Sequence, residues 1–323
     1  MLFENITCRY ISYVKDFATV SRIEFAPINL INIFIPIFLA ARSLTDLQPV
    51  VVFEVVMIWF LAFWFGSAIN CLYDKDIDEK YKTHLARAVG DLGNALKLIL
   101  LIEVIVLITL GIHLSLLVSK LTILLPLLFI GIFFAVGYSI KPLHFKNSVL
   151  LHAISLTAVL YFIPMLFVYS VIGNNISLPT ILILFSYAVM QYSITLGINT
   201  LEDFLEDRAM GIKNPPVVWG IQKTLKISFI SSMMCEFVVF ISFCYIFLSL
   251  TKNFLLYLYM IPFLIGISVP IKSLYNLYKI SRRYNDEHTI ITRVKRVAKK
   301  FPVLLSIPGI VVLIASFLVM FFK

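Results

Sequence analysis

Long apolar stretches recur from about residue 24 to the C-terminus, and short polar segments separate them. A helix needs about 20 apolar residues to cross the hydrocarbon core of a bilayer. This pattern predicts nine transmembrane helices, at 24–44, 48–69, 93–114, 117–138, 148–171, 178–200, 224–249, 254–277 and 302–321. We therefore expect an all-α, polytopic membrane protein, built as a nine-helix bundle with two pseudo-repeated halves and a polar mouth on the cytoplasmic side.

The composition supports one membrane domain rather than several soluble ones. The chain has 323 residues, of which 60% are hydrophobic, and its mean hydropathy is +0.96. A soluble fold could not cover so much apolar surface. No long polar linker divides the apolar stretches, so we expect a single domain over residues 1–323, with an amphipathic lead-in at residues 1–23.

The distribution of basic residues predicts the orientation in the membrane. Cytoplasmic loops retain Lys and Arg, and alternate loops of the predicted bundle carry 23 of the 27 basic residues. The other side keeps only Arg42, Lys120, Lys252 and Lys323. We expect the N-terminus and the polar mouth on the cytoplasmic side, and the C-terminus on the opposite side. Anionic lipid headgroups account for the net charge of +9 without nucleic acid.

Two copies of one polar pattern follow the second and sixth predicted helices. Residues 70–78 read NCLYDKDID and residues 199–207 read NTLEDFLED, so both copies have the spacing Asn-x-x-x-Asp-x-x-x-Asp. Residues four apart on a helix share a face. If each predicted helix continues through its motif, each copy forms one stripe of oxygen ligands: Asn70, Asp74 and Asp78 in the loop region 70–92, and Asn199, Asp203 and Asp207 in the loop region 199–223.

These stripes have the chemistry of a divalent metal site. Carboxylates close together near a membrane need a compensating cation, and all-oxygen ligands suit Mg²⁺ or Mn²⁺. Two facing stripes could hold a diphosphate through metal bridges. Nearby basic residues could neutralise the remaining charge, namely Lys82, Arg87, Lys141, Lys146, Arg208 and Lys213.

With the two motifs in these positions, the chain resembles the UbiA superfamily of intramembrane prenyltransferases. The resemblance extends over nearly the whole chain: Arg22 before the first helix, the first motif, GYSIKPLHFK after the fourth helix, and NTLEDFLEDRAMGIK after the sixth. It implies that Asn70, Asp74, Asp78, Asp203 and Asp207 are metal and diphosphate ligands. It also implies that Asn199 completes the second motif and that Lys141, Arg208 and Lys213 contact the diphosphate.

The resemblance implies a Mg²⁺-dependent enzyme of isoprenoid biosynthesis. Such an enzyme transfers an isoprenyl group from an isoprenyl diphosphate to a lipophilic acceptor, either aromatic or a quinone precursor, and releases pyrophosphate. Metal ions and cations would stabilise the leaving group, and aromatic side chains could stabilise the carbocation. Among the aromatic residues, Tyr138 in GYSIKP is the favoured candidate because it lies level with the acidic motifs.

Two other functions remain open at this point. A membrane terpene cyclase would ionise the same diphosphate without an acceptor. A cation or metabolite transporter would use the carboxylates along a permeation path, although transporters usually place such residues near the bilayer midplane. The sequence leaves the roles of four further polar residues undecided: Glu54, Glu103 and Glu236 within apolar stretches, and His84 after the first motif.

Overall fold

The computed structural model describes residues 2–250 and 254–323, and the side chains of residues 11–250 and 258–323. Regular structure in this part of the chain is helical. The first eight helices are α1 Leu2–Val20, α2 Ala26–Ala40, α3 Pro49–Tyr73, α4 Lys75–Tyr81, α5 Thr83–Leu92, α6 Asn94–Leu117, α7 Leu121–Ser139 and α8 Val149–Thr157. The other eight are α9 Ile163–Ile172, α10 Leu178–Thr195, α11 Phe204–Ala209, α12 Pro215–Trp219, α13 Ile221–Leu250, α14 Phe254–Ser281, α15 Glu287–Ala298 and α16 Phe301–Phe322.

Within the described residues, nine helical segments are long and apolar enough to cross a membrane. The predicted all-α bundle and its number of spans are therefore confirmed. Two spans contain a π-helical turn. A π-helical turn, Ala158–Phe162, joins α8 to α9 in the fifth span, and a second, Leu196–Thr200, extends α10 in the sixth. Such turns are frequent at functional sites.

The sixth span, α10 with its π-helical extension, lies at the centre of the bundle and is the most buried of the nine. It packs against α13, while α16 packs against α2 and α14. Large residues such as Tyr187, Phe243 and Phe247 are fully buried between these helices. Large apolar side chains on the outer helices, including Phe237 and Phe321, are exposed and would contact lipid.

The helices α1, α4 and α5 cover one end of the bundle. The helix α5 is amphipathic, and its residues Leu85, Val89 and Leu92 belong to a buried apolar cluster with Val20 and Phe65. The helix α4 connects α3 to α5, and α1 packs against α5. This arrangement places the segment after the first motif over the end of the bundle where the acidic residues lie.

The opposite end of the bundle carries the few basic residues that the sequence places on the side away from the mouth. Lys120 Nζ donates to the carbonyl oxygens of Ser170, Val171 and Gly173, at 2.8, 3.2 and 2.7 Å. Lys323 Nζ donates to Leu39 O at 2.6 Å. Both ammonium groups therefore satisfy carbonyl oxygens at helix ends. Lys252 lies outside the described residues.

Candidate active site

Each acidic motif bends at its central aspartate. The helix α3 ends at Tyr73, and Asp74 has φ −93° and ψ 3° before α4 begins. Asp203 has nearly the same backbone angles, φ −87° and ψ 4°, between the π-helical turn and α11. The expectation that each motif continues one straight helix is therefore wrong. The backbone hydrogen bonds from Asp78 N to Asp74 O and from Asp207 N to Asp203 O nevertheless continue across each bend.

Both motifs line one cavity of about 250 Å³. Asn70, Asp74 and Asp78 come from the first motif, and Asn199, Asp203 and Asp207 come from the second. The aspartates lie at the cavity mouth, beyond the ends of the spans. Below them the walls are mostly apolar or aromatic, and include Phe25, Phe63, Leu160 and Phe301. The tertiary structure thus brings residues 129 positions apart to one site.

In the first motif, each polar side chain has a different environment. Asn70 Oδ1 accepts a hydrogen bond from Ser139 Oγ at 3.2 Å. Asp74 forms an ion pair with Lys146, which is itself buried. Asp78 is buried on α4 and is only 7% exposed. The segment after α7 therefore contributes directly to the first motif.

The second motif is connected to the first across the cavity mouth. Lys82, at the end of α4, forms an ion pair with Asp203 at 2.7 Å. Asp207 accepts a hydrogen bond from Asn214 Nδ2 at 2.6 Å. Asn199 lies in the π-helical turn and lines the cavity. The Lys82–Asp203 pair thus connects the two halves of the chain at the site.

Positive and negative side chains nearly balance at the mouth. Four carboxylates line the cavity, and the cationic residues lining it are Arg22, Lys82 and Lys146. Burial is the main reason that the pKa of Asp78 is raised to about 6, although Lys82 works against the shift. Burial, and then the charge of Asp203, raise the pKa of Asp207 to about 7. These two carboxylates are therefore the least compensated by the protein alone.

The oxygen atoms at the mouth fit a divalent cation shared with a ligand. Among the described residues, no three His, Cys, Asp or Glu side chains are grouped closely enough to hold an ion alone. Mg²⁺ sites commonly combine one or two carboxylates with waters and substrate phosphate oxygens. The two undercompensated aspartates, one in each motif, match that requirement, because a bound cation would favour their charged forms.

Four of the predicted diphosphate contacts do not line the cavity. Arg87 is exposed on α5 and pairs with Asp91 at 3.7 Å, and the side chains of Lys141 and Lys213 are exposed. Arg208 instead binds Glu287 at 2.7 Å and lies over the Phe204 ring. For Arg208, helix geometry explains this, because it follows Asp207 directly and neighbouring residues on a helix do not share a face. Of the six predicted cations, Lys82 and Lys146 lie at the cavity.

The four undecided residues also lie away from the cavity lining. Glu54 pairs with His113 Nδ1 at 3.0 Å, and Glu236 accepts a hydrogen bond from Ser268 at 2.9 Å. Glu103 is buried, and its Oε2 has no hydrogen-bond partner among the described residues. His84 is exposed on α5. The contacts of Glu54 and Glu236 thus join neighbouring transmembrane helices, α3 to α6 and α13 to α14.

The aromatic candidate Tyr138 does line the cavity, near the end of α7. Its ring centroid lies 5.8 Å from that of His152, which is 1% exposed. Tyr192 OH lies 3.3 Å from His152 Nδ1. The predicted role of Tyr138 in stabilising a carbocation stays a prediction, and the structure supplies the required position on the cavity wall.

Arg22 lines the cavity mouth, although it was not among the predicted site residues. Its backbone is left-handed, with φ 50° and ψ 53°, which is uncommon for a residue other than glycine. Its position just before the first span, as an isolated basic residue, was the available signal. Asn29, Asn32 and Trp59 were also missed, because each lies within an apolar stretch without a motif.

The comparisons with known proteins agree with this geometry. The family model described as the UbiA prenyltransferase family matches residues 29–289. The chain belongs to this family. The predicted resemblance, and the prediction that the chain is a prenyltransferase of an integral membrane family, are therefore confirmed. No curated protein is a significant match to the chain.

Solved structures of UbiA homologues share the fold. A UbiA homolog from Archaeoglobus fulgidus matches with a TM-score of 0.63 and 15% identity, covering 94% of this chain and 99% of the other. A structure of a UbiA homolog from the same organism bound to DMAPP and Mg²⁺ matches with a TM-score of 0.61, 15% identity and coverages of 92% and 99%. A digeranylgeranylglyceryl phosphate synthase matches with a TM-score of 0.62, 15% identity and coverages of 94% and 99%. At this identity, the matches show the fold alone.

Proposed function

We propose that this chain transfers an isoprenyl group from an isoprenyl diphosphate to a lipophilic acceptor, aromatic or a quinone precursor, and releases pyrophosphate. The observation that carries the proposal is one cavity that joins four aspartates at its mouth to apolar and aromatic walls below. A diphosphate and its hydrocarbon chain need these two environments side by side. The family of the chain and the A. fulgidus structure with DMAPP and Mg²⁺ support the same assignment.

The diphosphate lies at the mouth, between the two motifs. Asp74, Asp78, Asp203 and Asp207 are the residues that would hold Mg²⁺, with Asn70 as a further oxygen ligand. Asn199 lies at the same level and completes the polar ring. When bound, Mg²⁺ supplies charge that stabilises the departing pyrophosphate, and Mn²⁺ has the same preference for oxygen ligands.

The three cations at the mouth contact the phosphate oxygens. Lys82 and Lys146 are paired with aspartates in the structure, so ligand binding exchanges these ion pairs for contacts with metal and phosphate. Arg22 adds a guanidinium group, which can bind phosphate oxygens in a bidentate manner. These groups lower the barrier by stabilising negative charge on the leaving group.

The reaction breaks the bond between the first carbon of the isoprenyl group and the diphosphate oxygen. The electron pair of this bond leaves with pyrophosphate, and the resulting allylic cation lies below the mouth. A carbon or oxygen atom of the acceptor forms the new bond to that carbon. The proton displaced from the acceptor passes to pyrophosphate or to a base, and the face of Tyr138 stabilises the cation.

The hydrocarbon chain lies between the transmembrane helices. An apolar side pocket of about 60 Å³ adjoins the cavity and is lined by residues of α3, α6, α7 and the fifth span. Trp59, Ala62 and Ala135 line both spaces. Apolar walls exclude water from the cation, which would otherwise be hydrolysed to an alcohol.

The experiment uses purified protein in detergent with Mg²⁺, labelled allylic diphosphates of several lengths, and a membrane lipid extract as the source of acceptor. We expect Asp203→Asn to lower metal-dependent pyrophosphate release at least 100-fold, since it removes a ligand and the partner of Lys82. The matched control is Glu206→Gln. Glu206 lies three positions after Asp203, on α11, but pairs with Lys295 and does not line the cavity.

The products distinguish the proposal from its rivals. Release of pyrophosphate that depends on the extract, together with a labelled adduct, supports transfer to an acceptor. A cyclised hydrocarbon formed without extract would instead assign a terpene cyclase. No pyrophosphate release from any diphosphate, by protein shown to be folded, would contradict the enzymatic proposal. Metal-dependent flux across liposomes would then indicate transport.

A further inference from the structure

The lower part of the cavity contains polar residues that the diphosphate chemistry does not use. Asn29 and Asn32 of α2 line it, together with Trp59 of α3. The charged residues among the described lining lie at the cavity mouth instead: Arg22, Asp74, Asp78, Lys82, Lys146, Asp203 and Asp207. The lower part, as the described residues line it, combines apolar walls with uncharged polar side chains.

The side chain of Asn29 is oriented by a neighbouring residue. Trp59 Nε1 donates a hydrogen bond to Asn29 Oδ1 at 3.1 Å, between two buried side chains. This bond fixes which end of the amide is the oxygen. Asn29 Nδ2 then has no partner among the described residues, although the residue is only 4% exposed. A buried donor without a partner is costly, so it indicates a group missing from the protein alone.

A second network of hydrogen-bonded side chains lies behind the same part of the cavity wall. Gln191 Nε2 donates to Tyr187 OH at 2.6 Å, and Tyr187 OH donates to Asn32 Oδ1 at 2.8 Å. Gln191 Nε2 also donates to Leu305 O at 3.2 Å. These bonds hold Asn32 against the cavity. Gln191 Oε1 remains without a partner among the described residues, so this network can still accept a hydrogen bond.

These amides lie well below the diphosphate. Trp59 precedes Asn70 by eleven positions on α3, which corresponds to roughly 16 Å along the helix at 1.5 Å per residue. A ligand group bound beside Trp59 is therefore about three helical turns from Asn70, the first oxygen ligand of the motif.

We propose that this part of the cavity is the acceptor subsite and that the acceptor is a neutral lipophilic molecule with a hydroxyl or carbonyl group. Asn29 binds that group through Nδ2, Asn32 lies beside it, and Trp59 and Gln191 are positioning residues. This inference rests on the proposed prenyl transfer. The acceptor extends from this polar group up to the mouth, where its reacting atom meets the first carbon of the isoprenyl group.

None of the described residues that line the lower part of the cavity is charged, and this decides the class of acceptor. A carboxylate or phosphate placed beside Asn29 would be buried without a cation, which is strongly unfavourable. A hydroxyl or carbonyl group needs only a hydrogen bond, and Asn29 has a donor available for it. The subsite thus selects a neutral headgroup, while the cations at the mouth remain available for the diphosphate.

The test uses purified full-length protein with Mg²⁺, one labelled isoprenyl diphosphate and three synthetic acceptors. These share a naphthol ring system and differ only at the position remote from the attacked carbon, which carries a hydroxyl, a carboxylate or a methyl group. The variants are Asn29→Leu, which removes the donor, and Trp59→Phe, which removes the hydrogen bond that orients it. The matched control is Trp64→Phe, because Trp64 lies on the same helix but does not line the cavity.

We expect the wild-type protein to use the hydroxyl acceptor best. Asn29→Leu should raise the KM for this acceptor about tenfold, as expected for one lost hydrogen bond, and should remove the preference over the methyl analogue. Trp59→Phe should raise the same KM severalfold, whereas Trp64→Phe should leave it unchanged. The KM for the diphosphate should stay constant in all three variants, which also shows that their sites are folded.

Preference of the wild-type protein for the carboxylate acceptor would overturn the inference. So would an Asn29→Leu variant that still prefers hydroxyl over methyl while retaining the wild-type KM for the diphosphate. Both results leave the proposed prenyl transfer intact, because pyrophosphate release continues. If wild-type protein releases no pyrophosphate with any acceptor, the proposed function fails and the acceptor subsite falls with it.

Discussion

At the scale of single residues, the four carboxylates at the cavity mouth differ in whether a basic side chain forms an ion pair with them. Asp74 and Asp203 are paired with Lys146 and Lys82. Asp78 has no such ion pair within the part of the chain that the structure describes, and Asp207 has the amide of Asn214 as its partner. Burial raises the pKa values of both. The protein thus neutralises the negative charges of Asp78 and Asp207 least, and these two carboxylates gain most from a bound metal ion.

The raised pKa values predict how metal use depends on pH. The protonated forms of Asp78 and Asp207 cannot bind Mg²⁺, and these forms accumulate as the pH falls through about 7 and then about 6. We therefore expect the Mg²⁺ concentration for half-maximal pyrophosphate release to rise several-fold between pH 8 and pH 6. The measurement is a Mg²⁺ titration at pH 6, 7 and 8 at constant ionic strength.

Asp207→Asn is the matching variant for this titration. Because its amide does not titrate near neutrality, the rise in required Mg²⁺ between pH 8 and pH 7 should be smaller than in the wild-type protein. A wild-type Mg²⁺ requirement that stays constant from pH 8 to pH 6 would contradict the role of these two carboxylates as metal ligands.

At the scale of the helical elements, the second motif depends on the π-helical turn Leu196–Thr200 at the end of α10. Gly197 lies in this turn, and a Cβ added there would lie 2.5 Å from Leu274 Cδ2 and 2.9 Å from Ser228 Cβ. The missing side chain thus lets α13 and α14 approach closely behind the motif. This close packing holds Asn199 and the following bend at the cavity.

Gly197→Ala should therefore destabilise the bundle and disturb the site. Overpacking of this kind typically costs about 1–3 kcal/mol, so we expect a lower unfolding temperature and reduced Mg²⁺-dependent pyrophosphate release. The matched control is Gly90→Ala on α5, where an added Cβ meets nothing within 4 Å. This control should keep or slightly raise the unfolding temperature, because alanine favours helix over glycine. Equal unfolding temperatures for both variants would contradict the packing argument.

At the scale of the whole molecule, charge is separated between the two ends of the bundle. The loops and helix ends on the side of the mouth carry most of the basic residues, while the described basic residues at the other end are Arg42, Lys120 and Lys323. Two of these three cap helix ends through their ammonium groups. They are therefore explained by local hydrogen bonding, and they do not weaken the predicted orientation with the mouth in the cytoplasm.

Cysteine labelling tests this orientation. In a variant whose native cysteines are replaced by serine, Glu79→Cys places a thiol on exposed α4 near the mouth, and Gln48→Cys places one before α3 at the other end. A membrane-impermeant maleimide should label residue 79 only in inside-out vesicles and residue 48 only in right-side-out vesicles. The reverse pattern would place the mouth outside the cytoplasm.

Much of the fold and part of the candidate site could be predicted from the hydrophobic pattern of the sequence and from the spacing of the two acidic motifs. The nine spans follow from the apolar stretches because bilayer thickness fixes helix length, and the two motifs stand out because carboxylates are rare beside such stretches. The same reasoning identified Asp74 and Asp203, and also Lys82 and Lys146. The chemical class followed from the repeated motif and its family.

Only the tertiary structure decided which residues share the cavity. Arg208 lies next to Asp207 in sequence and Arg87 lies nine positions after Asp78, yet both side chains form ion pairs outside the cavity lining. Asn29, Trp59 and Gln191 lie in three separate apolar spans, and no local spacing relates them. Their hydrogen bonds exist because α2, α3 and α10 pack together, and contacts between distant segments depend on packing that the sequence pattern does not encode locally.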